Sequence, residues 1–187
     1  MKIAFTGTHV TGKTTLLRDY EKYIEQKSKE KYSFGYISGI ARSIIQRGFP
    51  LNKDGNIYSY VNYINDQLEA EKAIDSYDIF ISDRTLLSPL AYATANYSLP
   101  RPFIPDYFIK MMENIWLMEK EKYDLYVYFP IEFPMGSPDN IHPSDEEYRQ
   151  LIDETILKLL NKFEVKYVTI TGNRNERLKM LIDILGI

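Results

Sequence analysis

Eight residues near the start of the chain, Gly7-Thr8-His9-Val10-Thr11-Gly12-Lys13-Thr14, satisfy the spacing G-x-x-x-x-G-K-[ST] without a mismatch. The short apolar run Lys2-Ile3-Ala4-Phe5 precedes them, and a helical pattern opens at Thr14-Thr15-Leu16-Leu17. Strand, glycine loop and helix in that order make a phosphate cradle, and this context separates the motif from a chance string. Glycine at 7 and 12 admits backbone angles closed to other residues, so consecutive N–H groups can turn onto one anion. The helix that follows aims its positive dipole end and its unsatisfied N–H groups at the same place. In such a loop Lys13 reaches the β- and γ-phosphates and the Thr14 hydroxyl ligates Mg²⁺. A glycine turn of purely structural purpose is the competing explanation, and the Lys13-Thr14 pair argues against it. The expected ligand is a nucleoside triphosphate.

A chain of 187 residues is long enough for one well-packed domain and short for two. No window approaches the roughly 18 apolar residues of a membrane span, so no membrane partner is expected. The N-terminus enters a strand at once, which argues against a signal or transit peptide. Cysteine is absent, which excludes disulfides, thiolate catalysis and Cys-type zinc sites, and fits a reducing cytoplasm. The net charge of −3 argues against broad nucleic-acid binding but leaves room for a local basic groove.

After the glycine loop, apolar residues Leu16, Leu17, Tyr20, Tyr23 and Ile24 predict a helix from Thr14 to about Lys27. Strands are expected at Tyr32–Ile37, Asp78–Asp83, Leu125–Phe129 and Tyr167–Ile170, beside the first. Further helices are expected at Ile40–Ile45, Ile57–Ser76, Leu86–Tyr97, Phe103–Lys122, Asp145–Lys162 and Arg174–Leu185. The four prolines between Pro130 and Pro143 exclude a helix or an inner strand there. Strands alternate with helices throughout, which predicts right-handed crossovers and a parallel sheet covered on both faces: one α/β domain over 1–187.

Ligands of such a sheet gather at the carboxyl ends of its strands. Asp83 ends an apolar strand there, where a carboxylate can hold Mg²⁺ or take a proton from an attacking hydroxyl. Arg84 follows, and a guanidinium can clamp phosphate or substrate oxygen; the alternative is a surface pair in a turn. Arg42, after the second strand, is a substrate-site candidate or a structural ion-pair partner. Arg149 is a candidate lid arginine, or a charge paired with Asp145, Glu146 and Glu147. The segment 130–149 suits a flap that excludes water. His9 is expected to matter through its backbone more than its ring, and His142 to face solvent. Tyr92, Tyr97, Trp116 and the tyrosines of the long helix can stack a base, although most aromatics at helical spacing are core.

The loop GTHVTGKT, the string Ser82-Asp83-Arg84-Thr85 and the pattern Pro130…Pro134…Asp139…Asp145-Glu146…Arg149 together resemble the P-loop nucleoside and nucleotide kinases. The similarity is greatest to the small ATPase/kinase family related to the nicotinamide ribonucleoside kinase domain, with thymidylate and deoxynucleoside kinases as relatives. The resemblance implies a three-layer fold with five parallel strands in the order 2-3-1-4-5, a lid, ATP as donor and Mg²⁺. It implies that the Gly7–Thr15 loop, with Lys13 and Thr14, serves ATP and Mg²⁺, and that Asn173 and Arg174, after Gly172, hold the adenine. Asp83 and Arg84 match the carboxylate-arginine pair after the third strand, Arg42 the arginine after the second, and Arg149 the lid arginine. The implied partner is a small nucleoside or nucleotide, with a homodimer compatible and a nucleic-acid chain less favoured. There are two departures. Gly39 stands where such kinases often have Glu, and Asp139-Asn140-Ile141-His142 replaces an Asp-Gly-x-Arg string.

An ATP-dependent kinase is therefore the leading expectation. A partner-coupled ATPase would usually show Asp-Glu after an apolar strand, where this chain has Asp83-Arg84. A GTPase would show Asn-Lys-x-Asp, whereas Asn161-Lys162-Phe163-Glu164 ends in Glu within a helical pattern.

Overall fold

The computed structural model describes residues 1–27, 31–99, 103–135 and 145–186. Five strands, β1 (Lys2–Thr6), β2 (Phe34–Ile37), β3 (Ile79–Ser82), β4 (Leu125–Tyr128) and β5 (Tyr167–Thr169), form one parallel sheet in the order β2-β3-β1-β4-β5. This is the implied order. At its centre Ile3 pairs with Ile81 on one side and Leu125 on the other.

Strand alternation splits each apolar run between two cores. Ile3, Phe5, Ile79, Ile81, Val127 and Phe129 pack with Leu16, Leu17 and Tyr20 of α1 (Lys13–Lys27) and Leu181 of α7 (Arg174–Leu185). Ala4, Phe80, Tyr126 and Tyr128 face the other way. There they meet α3 (Ile57–Glu71), α4 (Leu87–Tyr97), α5 (Asp106–Glu119) and α6 (Glu146–Lys162). The short α2 (Ile40–Gln46) packs beside α3. Helices on both faces of a parallel sheet make the expected three-layer α/β architecture.

Two boundaries differ from the apolar pattern. α3 ends at Glu71, and Ile74–Ser76 is a separate 3₁₀ turn. Ile74 is buried, so the hydrophobic spacing continues across a break in the backbone. α5 begins only at Asp106, because Pro105 precedes it in an extended conformation with ψ 149.

Parallel pairing brings the ends of β1, β2, β3 and β4 to one rim, and there lie Gly7, Ser38-Gly39, Asp83 and Phe129. Gly7 has φ 140, and a Cβ on it would stand 2.5 Å from the Phe129 carbonyl oxygen. Only glycine lets the chain leave β1 so close to β4.

Candidate active site

Two buried arginines hold the glycine loop from behind. Arg149, in the first turn of α6, donates from Nε to the His9 carbonyl (3.2 Å), from Nη2 to the Val10 carbonyl (3.0 Å) and from Nη1 to the Phe133 carbonyl (2.9 Å). Arg177, on α7, donates from Nη1 to the Thr11 carbonyl (2.5 Å) and from Nε to the Gly172 carbonyl (2.9 Å). Its Nη2 pairs with Glu132, and its guanidinium lies 4.6 Å over the Phe133 ring. In a trans peptide the carbonyl and the following N–H point in opposite directions. With the carbonyls of 9, 10 and 11 on these arginines, the N–H groups of Val10, Thr11 and Gly12 turn to the other side, as an anion cradle requires. Val10 has φ 56, a conformation that a β-branched residue adopts only under local constraint. The buried His9 ring ties the loop to α4, with Nδ1 3.1 Å from the Tyr92 hydroxyl.

Lys13 folds back over the loop, donating to the Thr8 carbonyl and to Thr11 Oγ1 (2.8 Å). Burial, and next the nearby Arg84, hold its pKa well below the ordinary lysine value; Asp83 opposes them. The Thr14 hydroxyl donates to Asp83 Oδ2. Asp83 Oδ1 is buried and has no partner among the described residues. Burial raises the pKa of this carboxyl against the opposing pull of Lys13, Thr14 and Arg84.

A cleft with an empty volume of about 1090 Å³, open mouth included, begins at Thr14 and Asp83 and runs between α2, α3 and α4. Arg18, Arg42 and Arg84 line it, and so do Tyr60, Tyr63 and Tyr92. Arg84 Nη1 lies 3.4 Å from Ser88 Oγ. Asp83 is the only carboxylate among the described residues of this wall. Gly39 lines it too, with φ 81 and nothing within 4 Å of where a Cβ would be. Its left-handed backbone suits glycine and resists a glutamate at this position.

Thus Thr14, Arg42, Asp83 and Arg84 converge on one cleft, with the loop at its end. Arg149 differs from its expected place. It lines the back of the loop and not the cleft, with its donors on the His9, Val10 and Phe133 carbonyls and on Glu146 Oε2 at 3.3 Å, one of the carboxylates named as its alternative partners. Asn173 caps α7 through a capping box, and Arg174 holds Asp19 with contacts of 2.6 and 2.5 Å, both outside the cleft. Among the aromatic candidates, Tyr92 and, from α3, Tyr60 and Tyr63 line the cleft, Trp116 is core, and Tyr58 and Tyr97 are exposed. Of the flap 130–149, residues 136–144, including Asp139, His142 and Pro143, lie outside the described residues. Sequence spacing did not single out Arg18, Gln67, Ser88 or Arg177. Gln67 and Arg177 act across fold-dependent distances, whereas Arg18, one turn after Thr14, and Ser88, one turn after Arg84, offered a local signal.

Thr14 and Asp83 offer hard oxygen donors that fit Mg²⁺, which takes its remaining ligands from phosphates and water. No cluster of three His, Cys, Asp or Glu side chains occurs among the described residues. No helix there is long and apolar enough to cross a membrane.

Glycine loop, parallel sheet and cleft together define a P-loop nucleotide-binding protein. Residues 2–177 match the family described as AAA domain, and the chain belongs to it. No curated protein matches the sequence. Among solved structures, deoxyadenosine kinase from M. mycoides, with products dCMP and a flexible dCDP bound, aligns with TM-score 0.73 at 13% identity, over 100% of this chain and 99% of that one. The NadR protein in complex with NAD and AMP-PNP gives 0.72 at 19% identity, over 99% of this chain and 49% of its own length. Thymidylate kinase from Ehrlichia chaffeensis gives 0.66 at 15% identity, over 100% and 98%. The fold is that of the P-loop nucleoside and nucleotide kinases, as the sequence resemblance implied.

Proposed function

We propose that the protein is an ATP- and Mg²⁺-dependent phosphotransferase that moves the γ-phosphoryl group to a hydroxyl or phosphate of a small nucleoside or nucleotide. One observation carries this: a cleft that starts at Thr14 and Asp83 and is walled by tyrosines and arginines. A hydrolase that delivers water needs no such walls at that point, whereas an acceptor with a flat base and a polar tail is met by both.

Phosphoryl transfer asks the protein for position and charge more than for covalent chemistry. Lys13 exchanges the Thr8 carbonyl for phosphate oxygens, and the N–H groups of residues 10–12 complete the cradle. Thr14 and Asp83 are the residues that would hold Mg²⁺, which when bound neutralises charge on the β- and γ-phosphates. Asp83 Oδ1, buried and unpartnered, is also placed to take the proton of an acceptor hydroxyl. Arg84 and Arg42 bring positive charge to the acceptor side, and Arg149 acts through the loop that it holds. Asn173 and Arg174 remain the proposed adenine contacts, and 130–149 the proposed lid.

The test is ADP and phosphate release with Mg-ATP, alone and with nucleosides, nucleoside monophosphates and nicotinamide riboside. ADP that appears only with an acceptor, together with a phosphorylated product, is expected. Phosphate released at one rate regardless of acceptor would replace the kinase with an ATPase.

A further inference from the structure

His9 stands third in the glycine loop and is 2% exposed. Arg149 holds its carbonyl at 3.2 Å, and its ring turns toward α4. There Nδ1 lies 3.1 Å from the Tyr92 hydroxyl oxygen and 3.3 Å from Thr8 Oγ1. The Tyr92 hydroxyl oxygen in turn accepts from the Arg84 guanidinium. A phenolic oxygen has lone pairs and one hydrogen, so it can serve both neighbours at once. Two hydrogen bonds through one hydroxyl thus join the glycine loop to the arginine on the acceptor side.

Both ends of this bridge are anchored. α4 is buried along most of its length, and the Tyr92 ring stands edge-on to Tyr148 of α6 with centroids 6.1 Å apart. Arg84 also reaches Ser88, one turn before Tyr92 on the same helix, at 3.4 Å. Phosphoryl transfer needs the γ-phosphoryl group, placed by the loop, in line with an acceptor oxygen on the Arg84 side. A misplacement of about 1 Å in such an arrangement costs on the order of 10²-fold in rate. The loop leaves β1 and Arg84 follows β3, so something must fix one against the other. The Thr14 hydroxyl on Asp83 spans the same gap, but it joins the two groups proposed to hold Mg²⁺ and is given up as they turn to the ion. The bridge through His9 and Tyr92 involves neither group.

We propose that His9 and Tyr92 are positioning residues of the transfer step, which together hold Arg84, and the acceptor beside it, at a set distance from the glycine loop. The proposal rests on the assignment of the cleft as the acceptor site. It gives the His9 ring a part beyond that of its backbone. Loss of the bridge misaligns bound substrates and does not expel them, so the cost falls on kcat more than on KM.

The first measurement is steady-state kinetics with Mg-ATP and the acceptor that yields ADP in the panel above. His9→Leu and Tyr92→Phe should each lower kcat by about 10- to 100-fold and leave both KM values within about threefold. The double variant should be no worse than the poorer single by more than about threefold, because one bridge is lost only once. His9→Asn, which keeps a hydrogen-bonding atom near the place of Nδ1, should recover most of kcat. Losses that multiply in the double variant, a change in KM alone, or an unchanged kcat in either single variant each overturns the proposal. Circular dichroism checks the fold; should His9→Leu not fold, Tyr92→Phe and the second measurement decide.

That second measurement needs no nucleotide. The chain has two histidines, so the ¹⁵N resonances of the His9 ring are assigned by their survival in His142→Asn. Tyr92→Phe should move the Nδ1 resonance, and so should Arg84→Met, which acts on it only through Tyr92. A resonance indifferent to either change overturns the bridge whatever the kinetics show. If no acceptor yields ADP, the kinase reading fails and the resonances alone decide the bridge; if ADP forms and the resonances stay in place, the kinase stands and the bridge falls.

Discussion

Burial removes water from the Lys13 ammonium and Arg84 repels it, so its pKa lies well below the usual lysine range. Phosphate oxygens at the same place favour the charged form and raise that pKa on binding. Between the lowered free value and the bound value, ATP binding therefore takes up a proton, and affinity falls as pH rises. Asp83 works in the opposite sense. Burial raises its pKa, and a bound cation favours the ionised form, so Mg-ATP binding releases a proton and weakens as pH falls through the raised value. Mg-ATP affinity should thus be bell-shaped in pH, with the acid limb tied to Asp83 and the alkaline limb to Lys13. Calorimetry in buffers of different ionisation heat reads both limbs. Lys13→Ala should remove the alkaline limb and lower kcat/KM by at least about 10²–10³-fold. An alkaline limb that survives this change would belong to another group.

The last two helices of the chain act on the loop that precedes α1. α6 delivers Arg149 and α7 delivers Arg177, and between them the carbonyls of residues 9 to 11 are held. Arg177 also joins the loop to Gly172 and to Glu132, at the foot of the proposed lid. Arg177→Met keeps the stem and removes the donors, taking from the Thr11 and Gly172 carbonyls the donor shown for them and leaving Glu132 only the Gly172 N–H. The loss should be about 2–4 kcal/mol, roughly 5–15 °C in Tm for a chain of this length. The KM for ATP should rise more than the KM for the acceptor, because the loop and not the cleft is released. Equal rises would mean that Arg177 supports the molecule without shaping the loop. The glycine loop, Asp83, Arg84 and Arg42 were legible because short motifs and strand ends mark them locally. Arg177 and Gln67 were not, because their partners stand at 11, 82 and 84 and only the fold brings them near. The same limit explains α3: buried Ile74 continues the apolar spacing past Glu71, and spacing reports burial, not the continuity of a helix.

At the scale of the molecule, the sheet is the wall shared by two cores. Ile3 belongs to the α1 and α7 side, while its neighbour Ala4 belongs to the α3–α6 side. One peptide bond separates the cores, so neither can melt while the strands stay paired. Trp116, the single tryptophan, lies in the α3–α6 core with its ring 5.2 Å from Phe163, and it reports on that side alone. Ile3 is fully buried in the opposite core, at the end of β1 remote from Lys13 and Asp83. Ile3→Ala should remove about 2–5 kcal/mol through lost burial and the cavity left behind. The denaturation midpoint read by Trp116 fluorescence should fall by the same amount as the midpoint read by far-UV circular dichroism, although the substitution never touches the tryptophan's core. A fluorescence midpoint that stays in place while the dichroism midpoint moves would mean that the two layers unfold separately. The catalytic rim, to which both cores contribute, would then rest on two stabilities instead of one.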